Sequence, residues 1–141
     1  WPIQSAVLLA DFPKTNNTPT AVPDLTLNLE AGHWYAITAT LIVQAGDGGA
    51  SFDFLGGTAT MVGMSLTGSY YQDGTTANLR IPDAGTNVSS AAGFTQGYFL
   101  SGVVQVDVGG TFSPRVNQNV TDVSPSKMLR YSIISAQDIT P

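Results

Sequence analysis

Cysteine is absent from the 141 residues. That removes a disulfide framework, a thiolate metal site and a cysteine nucleophile, and leaves stability to packing or oligomerisation. Charge is scarce as well: Asp, Glu, Lys and Arg make up 11%, where ordinary domains carry about 25%. Five basic residues face ten acidic ones, for a net charge of −5. No run of Lys or Arg exists that could track a phosphate backbone, so neither nucleic acid nor an anionic membrane is an expected partner. No apolar stretch reaches the roughly 18 residues of a membrane span, and WPIQSAVLLA lacks the basic opening of a signal peptide. The chain begins at Trp1 rather than Met, as expected of a trimmed or processed product whose targeting information would lie outside it. Helical periodicity over ten residues with a cap is also missing.

What the chain has is apolar content, 43%, enough for one domain with a core, and that content alternates with a period of two. In LEAGHWYAITATLIV, Tyr35, Ile37, Ala39, Leu41 and Val43 share one face, and Trp34, Ala36, Thr38, Thr40 and Ile42 the other, as on a β-strand. Leu25, Leu27 and Leu29 alternate before it, and Ala31-Gly32 turns the chain between the two runs as a hairpin or a corner. Phe52 and Phe54 flank an outward Asp53. Val62, Met64 and Leu66 follow, then Ala77, Leu79 and Ile81 as far as Pro82. Tyr98, Leu100, Val104, Val106 and Val108 share a parity with Gly102 up to the break at Gly109-Gly110, and Leu129, Tyr131 and Ile133 form the last run. PDAGTNVSSAAG, residues 82–93, reads as a long surface loop. Short strands at intervals of about ten residues predict an all-β antiparallel jelly-roll sandwich of 8–10 strands without substantial helix. It fills residues 1–141 as a single domain, with 1–24 an N-terminal strand and loop arm and 25–141 the sandwich.

The order LTLNLEAGHWYAITATLIV, GVVQVDVGGTFSPRVNQN and a closing LRYSII resembles the trimeric jelly roll of complement-type globular heads and tumour necrosis factor-like domains, above all the phage virion proteins built on it. Gly32 and Tyr35 match the Gly-x-x-Tyr that opens the family's long strand, and Tyr98-Phe99 with Gly102 match its late aromatic strand. The resemblance implies a homotrimer serving as a capsid decoration protein, a head fibre or a tail-associated receptor-binding domain. It also implies that Tyr131 and Ile133 lie beside the threefold axis. The shortage of charge departs from cellular members, which carry calcium-binding acids or receptor-facing basic residues, and points to a particle component. A separate argument agrees: Trp1, Trp34, Phe99, Val103 and Ile134 fall on faces turned away from the core, as expected of a second buried surface. The plainer alternative is that loops cover both sheets.

Chemistry finds little footing. His33, the lone histidine, stands at a strand start without a second histidine or cysteine, and is expected to bond a loop carbonyl rather than act as base or ligand. Gly63 to Gly68, GMSLTG, comes near the G-x-S-x-G of a nucleophile elbow, but Thr67 holds the fifth position and no helix follows Ser65. The acids lie in or beside turns, where Asp bonds its own backbone, and Asp47, Asp73 and Asp83 lack a calcium-loop spacing. The Asn-x-Ser/Thr triplets at Asn16, Asn87 and Asn119 are ordinary in a chain so rich in these residues. The loops 15–22 and 83–92 are candidates for partner contact or for mere connection.

The expectation is therefore a non-enzymatic virion protein without cofactor or metal. As a trimer it would decorate a shell, with itself and a major capsid or other virion protein as partners and the N-terminal strand as the particle-facing arm. The alternative is a fibre-tip module for a host-surface glycan, using Asp47, Tyr70, Tyr71, Asp83 and Asn87 in the surface loops, with Trp34, Tyr70 or Tyr71 as the stacking platform.

Overall fold

The architecture is that of a computed structural model describing residues 3–72 and 74–141. The expectations for Trp1 and Asp73 lie outside the described residues. Thirteen strands are present among the described residues: Ile3–Val7 (β1), Phe12–Lys14 (β2), Thr20–Ala21 (β3), Leu27–Leu29 (β4), Trp34–Gln44 (β5), Ala50–Gly57 (β6), Thr60–Gln72 (β7), Thr75–Ile81 (β8), Val88–Ser90 (β9), Thr95–Val108 (β10), Gly110–Asn117 (β11), Ser126–Met128 (β12) and Ile133–Asp138 (β13). A 3-10 turn at Pro23–Leu25 is the sole helical element among these residues. The five strands of two or three residues account for a count above that expected.

Two antiparallel sheets pack face to face. The larger has the order β1-β13-β5-β10-β7-β8, with β12 joining β2 to β5; the smaller has the order β3-β11-β6-β9, with β4 on β11. Most successive strands pass from one sheet to the other, as β4 to β5 to β6, so that apart from the β7–β8 hairpin neighbours in a sheet are distant in sequence. This is an all-β jelly-roll sandwich. The Ala31-Gly32 turn is accordingly a corner between sheets and not a hairpin. Gly32 takes φ 79, a conformation that costs glycine little. The Tyr35 hydroxyl accepts a hydrogen bond from the Glu30 backbone N–H at 3.0 Å, much as the tyrosine corner fixes a turn in other sandwiches.

Alternation carries the core. Leu25, Leu27 and Leu29 meet Tyr35, Ile37, Leu41, Val43, Phe52, Phe54, Leu66, Tyr98, Leu100, Val104, Val106 and Phe112, all buried. Phe52 lies edge-on to Tyr98 with ring centroids 4.8 Å apart, a favoured aromatic geometry. Gly102 faces inward where a Cβ would stand 1.9 Å from the Ser65 carbonyl oxygen, so no larger residue fits the β10–β7 approach.

Five expectations need correction. Val62 is 62% exposed, because the ladder slips where Gln105 pairs with Gly63 but Val106 with Met61; a bulge inserts one residue and reverses the parity. A second shift, between Val106 and Val108, places the extra residue Asp107 on β10 and leaves Val108 exposed. Asp53 does point away from the core, yet it is 7% exposed, since Arg115 opposite it on β11 donates two hydrogen bonds to its carboxylate, at 2.9 and 2.6 Å. The stretch 82–93 is not all loop: β9 pairs with β6 and buries Val88 and Ser90. Finally, the last strand begins at Ile133, so Tyr131 lies before it at φ 71, and the core-facing residues are Ile134 and Ala136.

Candidate functional site

Strand pairing lays the outer face of the larger sheet out in rungs. The first is Ile3, Gln137, Ala36, Val103 and Ser65; the second is Ser5, Ser135, Thr38, Ser101, Thr67 and Arg80; the third is Val7, Ile133, Thr40, Phe99, Ser69 and Asn78. Solvent-facing sheet surfaces usually alternate toward charged and polar residues. Here the only charge in three rungs is Arg80, at the β8 edge. Ile3 is 63% exposed and Phe99 50%, and the Phe99 ring leans over Gly97 on its own strand. Trp34 stands at the beginning of β5, 39% exposed, beside Gln105.

Of the proposed contact residues, the structure places Trp34, Phe99 and Val103 on this face. Ile134 does not belong with them: it is fully buried in the core, because its parity on β13 is opposite to that of Ile133, which takes the outward place. Tyr131 is 65% exposed in the turn before β13, and the Arg130 guanidinium sits 5.3 Å from its ring centroid.

The loop candidates do not converge. Asp47 is exposed in the turn before β6, whereas Asp83 lies near the far end of that strand, where the adjoining Ala84 carbonyl accepts from Phe54 N–H. Asp83 itself accepts the Thr86 hydroxyl at 3.3 Å, and Asn87 donates to Ser89 Oγ at 3.4 Å. Trp34 and Tyr71 occupy opposite ends of the sheet, since Tyr71 lies in line with Ile42 through Gly97; eight residues of strand separate the ends by about 26 Å. Tyr70 and Tyr71, as neighbours on one strand, face opposite sides.

Tyr70 instead lines a cavity of about 330 Å³ together with Gln72, Thr75, Ala77 and Phe94. Behind it lies a buried polar cluster. Ser90 Oγ donates to Gln96 Oε1 at 2.6 Å, the Tyr98 hydroxyl bonds both of them, and Gln96 Nε2 donates to Gln72 Oε1. Burial of the Tyr98 phenol pushes its pKa up from 10.0, with the Ser90 hydrogen bond opposing. The sequence pattern singles out Tyr70 but not its companions. Phe94, a lone aromatic after the glycine turn AAG, is the signal that points to them.

His33 bonds a carboxylate rather than a carbonyl. Its Nδ1 is 2.6 Å from Asp138 Oδ2 and its Nε2 is 3.4 Å from Glu30 Oε2. The hydrogen bond to Asp138 raises the His33 pKa above 6.5, against a smaller loss from burial. Asp138 is held at about 2, first by the Thr140 hydroxyl and backbone N–H and then by His33. No hydroxyl among the described residues is hydrogen-bonded to the imidazole, and Ser65 lies on the outer sheet face opposite Val103. Among the described residues no His, Cys, Asp and Glu side chains group for a metal ion. No helix among the described residues is long and apolar enough to cross a membrane.

Fold and surface together define an antiparallel jelly-roll sandwich with one sheet face nearly free of charge and a small aromatic cavity. No protein-family model matches the chain, and no curated protein matches it.

Proposed function

We propose that this is a non-enzymatic structural protein of a virus particle of the phage type, acting as a homotrimer that decorates and reinforces a capsid shell. The observation that carries the reading is the outer face of β1, β13, β5 and β10. Its rungs hold Ile3, Val7, Ile133, Ala36, Val103 and Phe99 around a row of Ser5, Ser135, Thr38 and Ser101. Depletion of charge around exposed apolar side chains is a compositional mark of an interface core, and the small hydroxyl row lets two sheets approach closely. Three copies burying this face against one another leave the polar ends of each sandwich to bridge neighbouring shell subunits, so opening the shell must break those contacts too. The partners are then two further copies of the chain and a major capsid or other virion protein, and the location is the particle surface.

The second reading is a receptor- or glycan-binding domain at a fibre tip, and the cavity at Tyr70 and Phe94 favours it. Copy number in purified particles separates the two. A number matching the shell lattice supports decoration, a handful at one vertex or at the tail supports a fibre, and absence from particles contradicts both.

A further inference from the structure

The two sheets are unequal, and the mismatch leaves part of an inner face without a lid. On β7 the inward parity runs Met64, Leu66, Gly68, Tyr70, Gln72; on β8 their partners are Ile81, Leu79, Ala77 and Thr75. Leu66 and Ile81 are fully buried, whereas Tyr70, Ala77 and Leu79 are only partly so. The core therefore ends part-way along the β7–β8 hairpin, and beyond it the inward positions line open space rather than an opposing strand.

We propose that this space, the cavity bounded by Tyr70, Gln72, Thr75, Ala77 and Phe94, binds a single neutral sugar ring, such as the terminal residue of a glycan. The proposal rests on the glycan-binding reading of this cavity and not on the proposed interface between copies, which lies on the opposite side of the sheet.

Volume, chemistry and rigidity each support it. At about 330 Å³ the cavity sits at the small end of the range for small-molecule sites, roughly 300–1,000 Å³, as one ring requires. Its lining combines the aromatic rings of Tyr70 and Phe94 with an amide and two hydroxyls. A pyranose has the matching character: a C–H face that packs on aromatic rings and a rim of hydroxyls that both donate and accept. Among the described residues none that lines the cavity is charged, and a neutral ring needs no counter-charge there.

The polar part of the lining is held in place from behind. Gln96, Ser90 and Tyr98 are each no more than 2% exposed. Because Gln96 Oε1 is occupied by the two hydroxyls, its Nε2 faces Gln72 and takes up the Gln72 carbonyl oxygen. Gln72, held through its carbonyl oxygen, lines the cavity. A buried polar chain is costly unless each member is satisfied, and this one ends at the cavity. Phe94 is fixed too. Ala45 N–H donates to its carbonyl at 2.8 Å, and Gly93 N–H donates to the Ala45 carbonyl at 3.2 Å, with Gly93 at φ 82. Preorganised groups bind with less loss of entropy.

The test is an amide NMR titration of the full chain with methyl glycosides of glucose, galactose, mannose, N-acetylglucosamine and N-acetylgalactosamine, at millimolar concentration, with N-acetylneuraminic acid in parallel. The expected result is saturable shifts from at least one neutral glycoside, confined to residues 70–77 and 90–98. Phe94→Ala and Thr75→Val should each weaken that binding by about tenfold while leaving the thermal melt and the remaining amide spectrum in place. Four outcomes overturn the proposal: no saturable shift with any neutral glycoside, shifts centred elsewhere, binding that survives both substitutions, or preference for the acidic sugar. Because the readout is local, it is the same whether the chain is a trimer or a monomer.

Discussion

His33 ties the last residues of the chain to the first corner of the sandwich, and its sign of pH dependence follows from two shifts. A histidine whose folded pKa lies above its unfolded value stabilises the fold fully below the unfolded 6.5 and loses that contribution as pH rises through the raised value. Asp138 does the reverse. Its contribution is present above 3.8 and is lost as pH falls toward about 2. The link is therefore strongest between these limits, and the melting temperature should decline modestly as pH rises past the His33 transition. In Asp138→Asn the histidine titration, followed by NMR, should move down; an unchanged histidine pKa would refute the pairing. A second residue-scale expectation concerns Asp53, whose carboxylate takes two Arg115 hydrogen bonds and the Leu55 N–H. Charge-assisted bonds of this kind are worth up to about 3 kcal/mol, so Asp53→Ala should cost about 2 kcal/mol in urea denaturation, and a change within error would contradict the arrangement. Neither pair is legible in the sequence: the residues of one stand 105 positions apart and those of the other 62, and local pattern says nothing about such distances.

At the scale of elements, alternation was a sound guide wherever a strand runs straight between two sheets. The inward sets of β5 and β10, from Tyr35 to Val43 and from Tyr98 to Val106, follow it because one face has a sheet to bury against. It failed where the ladder slips, at Val62 and Val108, and where the strand boundary moved, so that Ile134 and not Ile133 turned inward. Bulges leave no mark in a hydrophobicity pattern. β9 was missed for a related reason: a strand of Val, Ser and Ser inside a run of small residues looks like loop until its partner β6 is known. The corner before β5 is the element with the plainest sequence mark, Gly32 and Tyr35. Tyr35→Phe keeps the ring in the core and removes only the bond to Glu30 N–H, so it should destabilise by about 1 kcal/mol. Thermal or urea unfolding checks this, and a loss as large as that from deleting a core side chain would show that the hydroxyl does more than hold the corner.

For the whole molecule, the unequal sheets account for both candidate surfaces. The smaller sheet does not cover the β7–β8 end, which leaves the cavity, and no strand among the described residues covers the outer face of the larger sheet. Of the candidate site, Trp34, Phe99 and Val103 are readable from parity, whereas Tyr70 is legible only as an aromatic assigned to a surface loop and stands instead on β7. Gln72, Thr75 and Phe94 are not legible, since their convergence depends on which inner positions the second sheet leaves bare. If the outer face is an interface between copies, a charge at its centre should split the assembly without unfolding the subunit. Phe99 is half exposed in the single chain, so Phe99→Glu should reduce the native mass to one chain and leave the far-ultraviolet spectrum unchanged. Retention of the full assembly would place the interface elsewhere. The most direct measurement is the native mass of the unaltered chain by light scattering, at low micromolar concentration and in both low and high salt. The account predicts a mass of three chains under both conditions, because burial of an uncharged face is not screened by salt; a monomer throughout would contradict it.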